Sequence, residues 1–396
     1  MLFRSRRTLL NLAIAIFTIV LSLSLRSPNF ATDLLTADVQ ALVKMGARVT
    51  GSPAAERASE FLVNEYRKAG YQVEIQPFSY PKFADVGSDL TVNGTAIRVW
   101  AMVRSRSGHP SGKLVIVPNY GTSEDFQTVN VKGAIALVRR GGGLTFAQKI
   151  DHAAAAGAIG IVIVNNQPDN VRGMLMQPSP IPAAAISGKD GAPLLAQPTE
   201  AQATLNVQSR PNAVGRNIIA HLPNVRQPKL IIGGHFDSVE NSPGANDNAS
   251  GTAVILALAR QFAQSTEAQQ IWFINFDGEE DGLKGSEAFV EQLDSAVLKS
   301  LKGMINFDMV GVNDRLLIDG SGALSAVATQ STREEVRSSR FGRSDHASFQ
   351  AKAVPTLFFF RGKDPNYHSP SDKSVDPRLL KETQQAASKI ISQLLK

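Results

Sequence analysis

KLIIGGHFDSVENSPGANDNASG, running from Lys229 to Gly251, is the stretch that decides the architecture. It opens on a short apolar run, Lys229 to Gly233, short enough to be a buried strand. It then exits through His235-Phe-Asp237, crosses a Gly/Asn/Ser turn, and enters the helical spacing of Ala249 to Phe262. A strand that feeds a helix through a polar turn is half of a βαβ unit. Working outward, the alternation continues through Ile271 to Phe276, Ser286 to Leu298, Gly303 to Val310, Thr356 to Phe360 and Pro377 to Leu395. The order predicts an α/β fold with a doubly wound, mostly parallel central sheet flanked by helices.

Upstream, apolar residues at helical spacing begin at Asp33. A second set, Ala58, Phe61, Leu62, Tyr66 and Ala69, ends at Gly70, so two helices open the fold before a strand at Tyr71 to Ile75. Residues 86–205 have a different texture, with the short apolar runs Leu114 to Val117, Ala134 to Val138 and Ile159 to Val164 separated by Gly-rich turns. They read as an inserted domain. The larger α/β domain is then discontinuous, residues 32–85 and 206–396.

In open α/β sheets the carboxyl ends of the strands face one crevice, so residues just past different strands meet in space. His235 leaves one strand, with Asp237 placed to hold its other ring nitrogen. Asp247 sits on the turn that follows and reads as a ligand shared between two metals; taken alone, the same turn is also an ordinary N-cap loop. Asp277-Gly-Glu279-Glu280-Asp281 leaves the next strand, where Glu280 fits a metal ligand and Glu279 an unligated general base. A solvated acidic turn is the competing description. Asp308 lies inside an apolar run, Asn306-Phe-Asp-Met309, where a buried carboxylate needs a partner; a metal supplies one, and so would an arginine. His368 in Tyr367-His-Ser-Pro-Ser-Asp372 adds a second imidazole. Two His and three carboxylates make an oxygen-and-nitrogen site for two zinc ions.

Composition agrees. The 396 residues contain no cysteine, so a metal must be held by His, Asp and Glu. Hydrophobic residues make up 43% and charged ones 19%, which describes a well-buried globular chain. The net charge of +6 owes four positive charges to Arg4, Arg6, Arg7 and Arg26, which precede any acidic residue. With no stripe of Lys and Arg interleaved with aromatics in the remainder, nucleic acid is not an expected partner. Residues 1–31 read as an export leader: basic residues, an apolar run over Leu9 to Leu25, then Pro28. A cleaved signal peptide and a retained membrane anchor through residues 9–25 both fit that run. Either places the chain outside the cytoplasm, secreted, periplasmic or anchored facing outward.

Two resemblances sharpen these expectations. Val131 to Gly141, Thr145 to Lys149, Ala153 to Gly157, Val164 to Asn166 and Ile181-Pro182 resemble the protease-associated domain, a small β-rich module inserted into peptidases. The cysteine that many of those domains carry is missing from Gly141 to Thr145. His235-Phe-Asp237, the Asp247 turn, Glu279-Glu280, Asp308 and Tyr367-His368 occur in the order of the co-catalytic dizinc aminopeptidase family, which includes bacterial leucyl aminopeptidases and aminopeptidase Y and is related to glutamate carboxypeptidase and glutaminyl cyclase. That resemblance implies one zinc held by His235 and Asp308, the other by Glu280 and His368, with Asp247 bridging them and a cis peptide between Asp247 and Asn248. It implies Glu279 as general base and Tyr367 as an oxyanion donor, and it assigns Arg343 and His346, around Ser344 to Phe349, to the substrate pocket. The expected activity is hydrolysis of N-terminal residues from peptides with a free N-terminus. Within the superfamily, a carboxypeptidase or dipeptidase, a glutaminyl cyclase and a non-catalytic receptor-like ectodomain are the alternatives. Arg343 and Arg361 are the cations a carboxypeptidase would use to clamp a C-terminal carboxylate.

Overall fold

The computed structural model describes residues 28–196, 201–338 and 343–396, with side chains from residue 34. Most of the leader expected at 1–31, including the apolar run 9–25, lies outside the described residues. Among those described, no helix is long and apolar enough to cross a membrane. The chain forms two compact units, one of residues up to Phe78 together with Val214–Lys396, the other Ser79–Ala213.

The first unit opens with helices α1 (Pro28–Lys44) and α2 (Pro53–Lys68). The opening helix thus starts five residues before the Asp33 suggested by apolar spacing; proline suits a first turn because its missing N–H has no intrahelical partner there. Ser52 caps α2 by accepting the Ala55 N–H, and Gly70, at φ +94°, lets the chain turn away into the sheet.

That sheet has eight strands: β1 (Gln72–Asp85), β2 (Ser209–His221), β3 (Leu230–His235), β4 (Ile271–Phe276), β5 (Gly303–Phe307), β6 (Leu317–Gly320), β7 (Glu335–Arg337) and β8 (Thr356–Phe360). Their spatial order is β1-β2-β4-β3-β5-β8-β6-β7. The central four, β4-β3-β5-β8, are parallel, while β2 joins β4 and β6 joins β8 antiparallel. From β3 the chain passes to β4 on one side and then returns to β5 on the other. The switch point therefore lies at β3, the strand that carries His235.

Period-two alternation splits the apolar residues between the two faces. Leu230, Ile232, Phe273, Ile305, Phe307 and Phe359 pack with α1, α2, α3 (Gly251–Phe262) and α6 (Pro377–Leu394). Ile231, Ile274, Phe276 and Met304 pack on the opposite face with Phe289 of α4 (Lys284–Gln292) and with Phe349. The helix expected over Ser286 to Leu298 is two helices, because Asp294 turns its side chain to the Ala296 N–H and caps a new one, Ser295–Ser300. The strands β6 and β7 and helix α5 (Gly322–Ser331) carry no strong apolar period in the sequence, and only the structure reveals them.

The second unit is built on its own eight-stranded sheet, in the order 95–98, 89–92, 201–206, 111–116, 135–139, 160–164, 183–186 and 100–101. Its inner strands 111–116, 135–139, 160–164 and 183–186 are parallel. Apolar clusters fill both faces, centred on Ile135, Leu137 and Val162 on one and on Ala136, Val138 and Ile161 on the other.

Candidate metal centre

Four parallel strands end at the site. His235 is the last residue of β3 and is fully buried. The chain then loops to Asp247, on an irregular turn over Ala245–Ser250 whose Asp247 and Asn248 depart from helical dihedrals and are joined by a cis peptide bond. Glu279 and Glu280 follow β4, Asp308 follows β5, and His368, at φ +57°, follows β8.

The side chains meet as two groups that share Asp247: His235, Asp247 and Asp308 form one, and Asp247, Glu280 and His368 the other. His235 Nε2 lies 3.3 Å from Asp247 Oδ1 and 3.4 Å from Asp308 Oδ1. His368 Nε2 lies 3.2 Å from Asp247 Oδ2 and 3.0 Å from Glu280 Oε2. A tetrahedron with 2.0–2.1 Å bonds to nitrogen and oxygen has edges of about 3.3 Å, so these spacings suit ligands around a common zinc-sized centre. Buried polar atoms need partners, yet His235 Nε2, Glu280 Oε1 and Asp308 Oδ1 have no hydrogen-bond partner. Each belongs to one of the two groups. The residues present therefore fit a pair of cations.

Electrostatics give the same answer. Burial drives Glu279 up to about 10, against the pull of His235 and with the help of Asp308. Burial also lifts Glu280 to about 7, with His368 opposing and Asp247 reinforcing. Hydrogen bonds to Asp247 and Glu280 raise His368 to about 10, while Asp247, though buried, is held well below the usual carboxylate range by His235 and His368. Without a cation the cluster has to gather protons to remain buried; divalent ions held by the two groups would replace them.

A surrounding layer fixes these ligands. Asp237 Oδ1 lies 3.4 Å from His235 Nδ1, and its two oxygens accept the N–H groups of Glu279 and Glu280, each at 3.2 Å. Asp372 does the same for the bridging turn, accepting Asn246 N–H at 2.8 Å on one oxygen and Asp247 N–H at 3.1 Å on the other. Asn248 ties three segments together, donating to the carbonyls of His235 and Phe307 and accepting from Gly251 and Met309. Arg48, fully buried, grips both ends of the His235–Asp247 loop, donating to the carbonyls of Phe236 at 2.7 Å, Gly244 at 3.0 Å and Pro243. Burial lowers its guanidinium to about 10, with Asp237, Asp372 and Asp247 opposing. Behind Glu279, Asp277 accepts the Thr50 hydroxyl at 2.8 Å and the Arg216 N–H at 3.0 Å.

The structure brings together His235, Asp247, Glu280, Asp308, His368, Glu279 and Asp237, all singled out in the sequence, and the expected cis peptide joins Asp247 to Asn248. No role was assigned from the sequence to Arg48 or Asp372, nor to the Asn248 side chain. Asp372 had a usable signal, an acidic residue four positions beyond His368. Arg48 had little, since it sits in a Gly/Ser/Pro turn 188 to 196 residues before its partners. Tyr367 packs its ring on His368, centroids 3.7 Å apart and 20° from parallel. Arg343 is exposed, and His346 is buried with its ring 4.3 Å from that of Phe358; neither belongs to the two ligand groups. Arg361 is also buried, bonded to Thr383, Glu382 and the carbonyls of Asn313, Asp314 and Leu379, so it braces the fold instead of facing a substrate.

Comparison with known proteins agrees with this geometry. Residues 217–391 match the model of peptidase family M28, and residues 110–194 match the PA domain. Over 377 residues the chain is 31% identical to aminopeptidase YwaD of Bacillus subtilis, covering 88% of this chain and 80% of that protein. A solved structure of BSAP, a zinc aminopeptidase from Bacillus subtilis, is similar with a TM-score of 0.60 at 27% identity, covering 94% of this chain and 97% of that one. An aminopeptidase from Aneurinibacillus sp. strain AM-1 is similar with a TM-score of 0.55 at 29% identity, covering 92% and 94%. With this identity spread over nearly the whole length, and with the ligand groups lying inside the matched region, the chain belongs to peptidase family M28 and carries an inserted PA domain.

Proposed function

We infer that the chain is a zinc-dependent aminopeptidase that holds two zinc ions and removes N-terminal residues from peptides with a free N-terminus. The observation that carries the reading is the double role of Asp247, whose two oxygens face different imidazoles, Oδ1 toward His235 and Oδ2 toward His368. His235 and Asp308 would complete one ion's shell and Glu280 and His368 the other's. Bound there, the ions supply Lewis-acid polarisation of the scissile carbonyl and a water acidified toward neutrality.

Glu279 is a further carboxylate beside the two ligand groups. It belongs to neither ligand group, its Oε2 lies 4.0 Å from His235 Nε2, and Asp237 holds its N–H. It takes the proton of the attacking water and returns it to the leaving amine. The Tyr367 phenol is kept in its donor form by burial and by the carboxylates of Asp247, Glu280, Asp308 and Glu279. It donates to the developing oxyanion, a contribution of about 3–4 kcal/mol for a well-placed donor. A carboxypeptidase reading loses Arg361, which the fold already engages. The leader supports an extracytoplasmic location, tested by sequencing the mature N-terminus from cell fractions.

The test is metal analysis alongside hydrolysis of aminoacyl-, N-acetylaminoacyl- and glutaminyl peptides. The reading expects about two zinc per chain, loss of activity on chelation, recovery on zinc addition, and cleavage of unblocked peptides alone. One or no bound zinc, or equal cleavage of N-acetylated peptides, would refute it.

A further inference from the structure

A cation joins the ring pair at the second ligand group. Tyr367 lies against His368, centroids 3.7 Å apart, and Lys363 sits over the Tyr367 ring, with Nζ 4.1 Å from the ring centroid. The ammonium is therefore separated from the centre of the His368 imidazole by no more than the sum of those two distances. The segment that carries Lys363 is pinned to the metal turn. Asp364, the next residue, accepts the Asn246 side-chain N–H at 2.9 Å, and Asn246 adjoins the bridging Asp247. The Lys363 carbonyl is held in turn by Asn313 at 3.4 Å. The lysine side chain is exposed and makes no ion pair among the described residues, whereas in the same region Arg361 is engaged by the Glu382 carboxylate and by main-chain carbonyls and Arg378 by the carboxylates of Asp314 and Glu382.

A cation with no ion-pair partner among the described residues, placed beside the two ligand groups, divides the substrate path by charge. It repels the ammonium of a free N-terminus, so the lysine is placed for the other side of the scissile bond. One residue of extended peptide spans about 3.3–3.6 Å, so a group one or two residues beyond the cleaved bond reaches from the ligand cluster to a cation at this distance.

We propose that Lys363 is a specificity-determining residue that binds a substrate carboxylate on the leaving-group side, either the free C-terminus of a dipeptide or tripeptide or an acidic side chain at the first position after the cleaved bond. The proposal rests on the aminopeptidase reading above and adds the class of peptide preferred. The cation–π contact holds the ammonium over the Tyr367 ring, and the substrate carboxylate completes a charge-assisted hydrogen bond on its open side.

The experiment compares kcat/KM of the zinc-loaded full chain for Leu-Gly, Leu-Gly-amide, Leu-Glu-amide and Leu-Gln-amide, in wild type and in Lys363→Met, Lys363→Arg and Lys363→Glu. Zinc content is measured for each. Wild type is expected to prefer the carboxylate member of at least one pair by three- to tenfold. K363M should bring that ratio to about one, K363R should keep it, and K363E should invert it. The Leu-Gly pair reports on the C-terminal carboxylate and the Leu-Glu/Leu-Gln pair on the side chain. Ratios equal in wild type and K363M, in both pairs, overturn the proposal while leaving the aminopeptidase intact. Failure of the zinc-loaded wild type to cleave any of the four overturns the aminopeptidase reading and this proposal with it.

Discussion

Asp237 stands with one carboxylate oxygen 3.4 Å from Nδ1 of His235, the nitrogen opposite the one that faces Asp247 and Asp308. The main-chain carbonyl of Asp237 lies 3.3 Å from the same nitrogen, so this residue sets the ring's orientation and its tautomer through both groups and leaves Nε2 as the free donor for a metal. Because the same carboxylate also accepts the N–H groups of Glu279 and Glu280, one side chain orients His235 of one group, Glu280 of the other, and Glu279 beside them. Asp237→Ala is expected to weaken zinc binding and kcat/KM together, each by roughly 10- to 100-fold. Competition against a chromogenic chelator and steady-state kinetics measure both; an unchanged zinc affinity would remove Asp237 from this role.

Glu279→Gln keeps the size of the side chain and its backbone contact to Asp237 while removing the proton acceptor. Zinc content should stay at the wild-type value and kcat should fall by roughly 10²- to 10⁴-fold, the range of general-base catalysis. Loss of zinc in this variant would instead mark Glu279 as a ligand.

Arg48→Met leaves the carbonyls of Phe236, Pro243 and Gly244 buried without their donor. Unsatisfied buried groups cost about 1–3 kcal/mol each, so a loss of at least about 3 kcal/mol is expected in denaturant unfolding of the full chain. Arg48→Lys should recover little, because an ammonium cannot reproduce a planar fork aimed at three acceptors.

His346 makes a prediction about pH. Burial lowers its imidazole to about 4, below the value of about 6.5 for an exposed histidine. The unfolded chain therefore binds a proton over this window while the folded one does not. Stability is fully present above pH 6.5 and is lost as the pH falls toward 4, by roughly 3 kcal/mol at 1.36 kcal/mol per unit. His346→Phe, which keeps a ring against Phe358, should flatten that part of the profile. Equal slopes in wild type and variant between pH 4 and 6.5 would show that other groups carry the acid sensitivity.

His235, Asp247, Glu279, Glu280, Asp308 and His368 were legible in the sequence because each follows an apolar run or helix-opening turn whose periodicity is local. The rule that strand ends share a crevice brings such residues together without further information. The same logic recovered the order of strands and helices through β5 and α3. It failed at β6, β7 and α5, where polar and apolar residues mix and pairing with β8 decides the conformation.

By itself, then, the sequence determined the kinds of ligand, their order and the metal they suit, since donor chemistry and strand exits are written locally along the chain. Only the tertiary structure decided what holds them and what stands beside them. Arg48 reaches its carbonyls across separations of 188 to 196 residues, Asp372 clamps the bridging turn from 125 residues away, His346 and Arg361 turn inward, and Lys363 settles over Tyr367. Those contacts depend on where loops point once the sheet has closed, and side-chain direction from a loop has no periodicity from which it could be read.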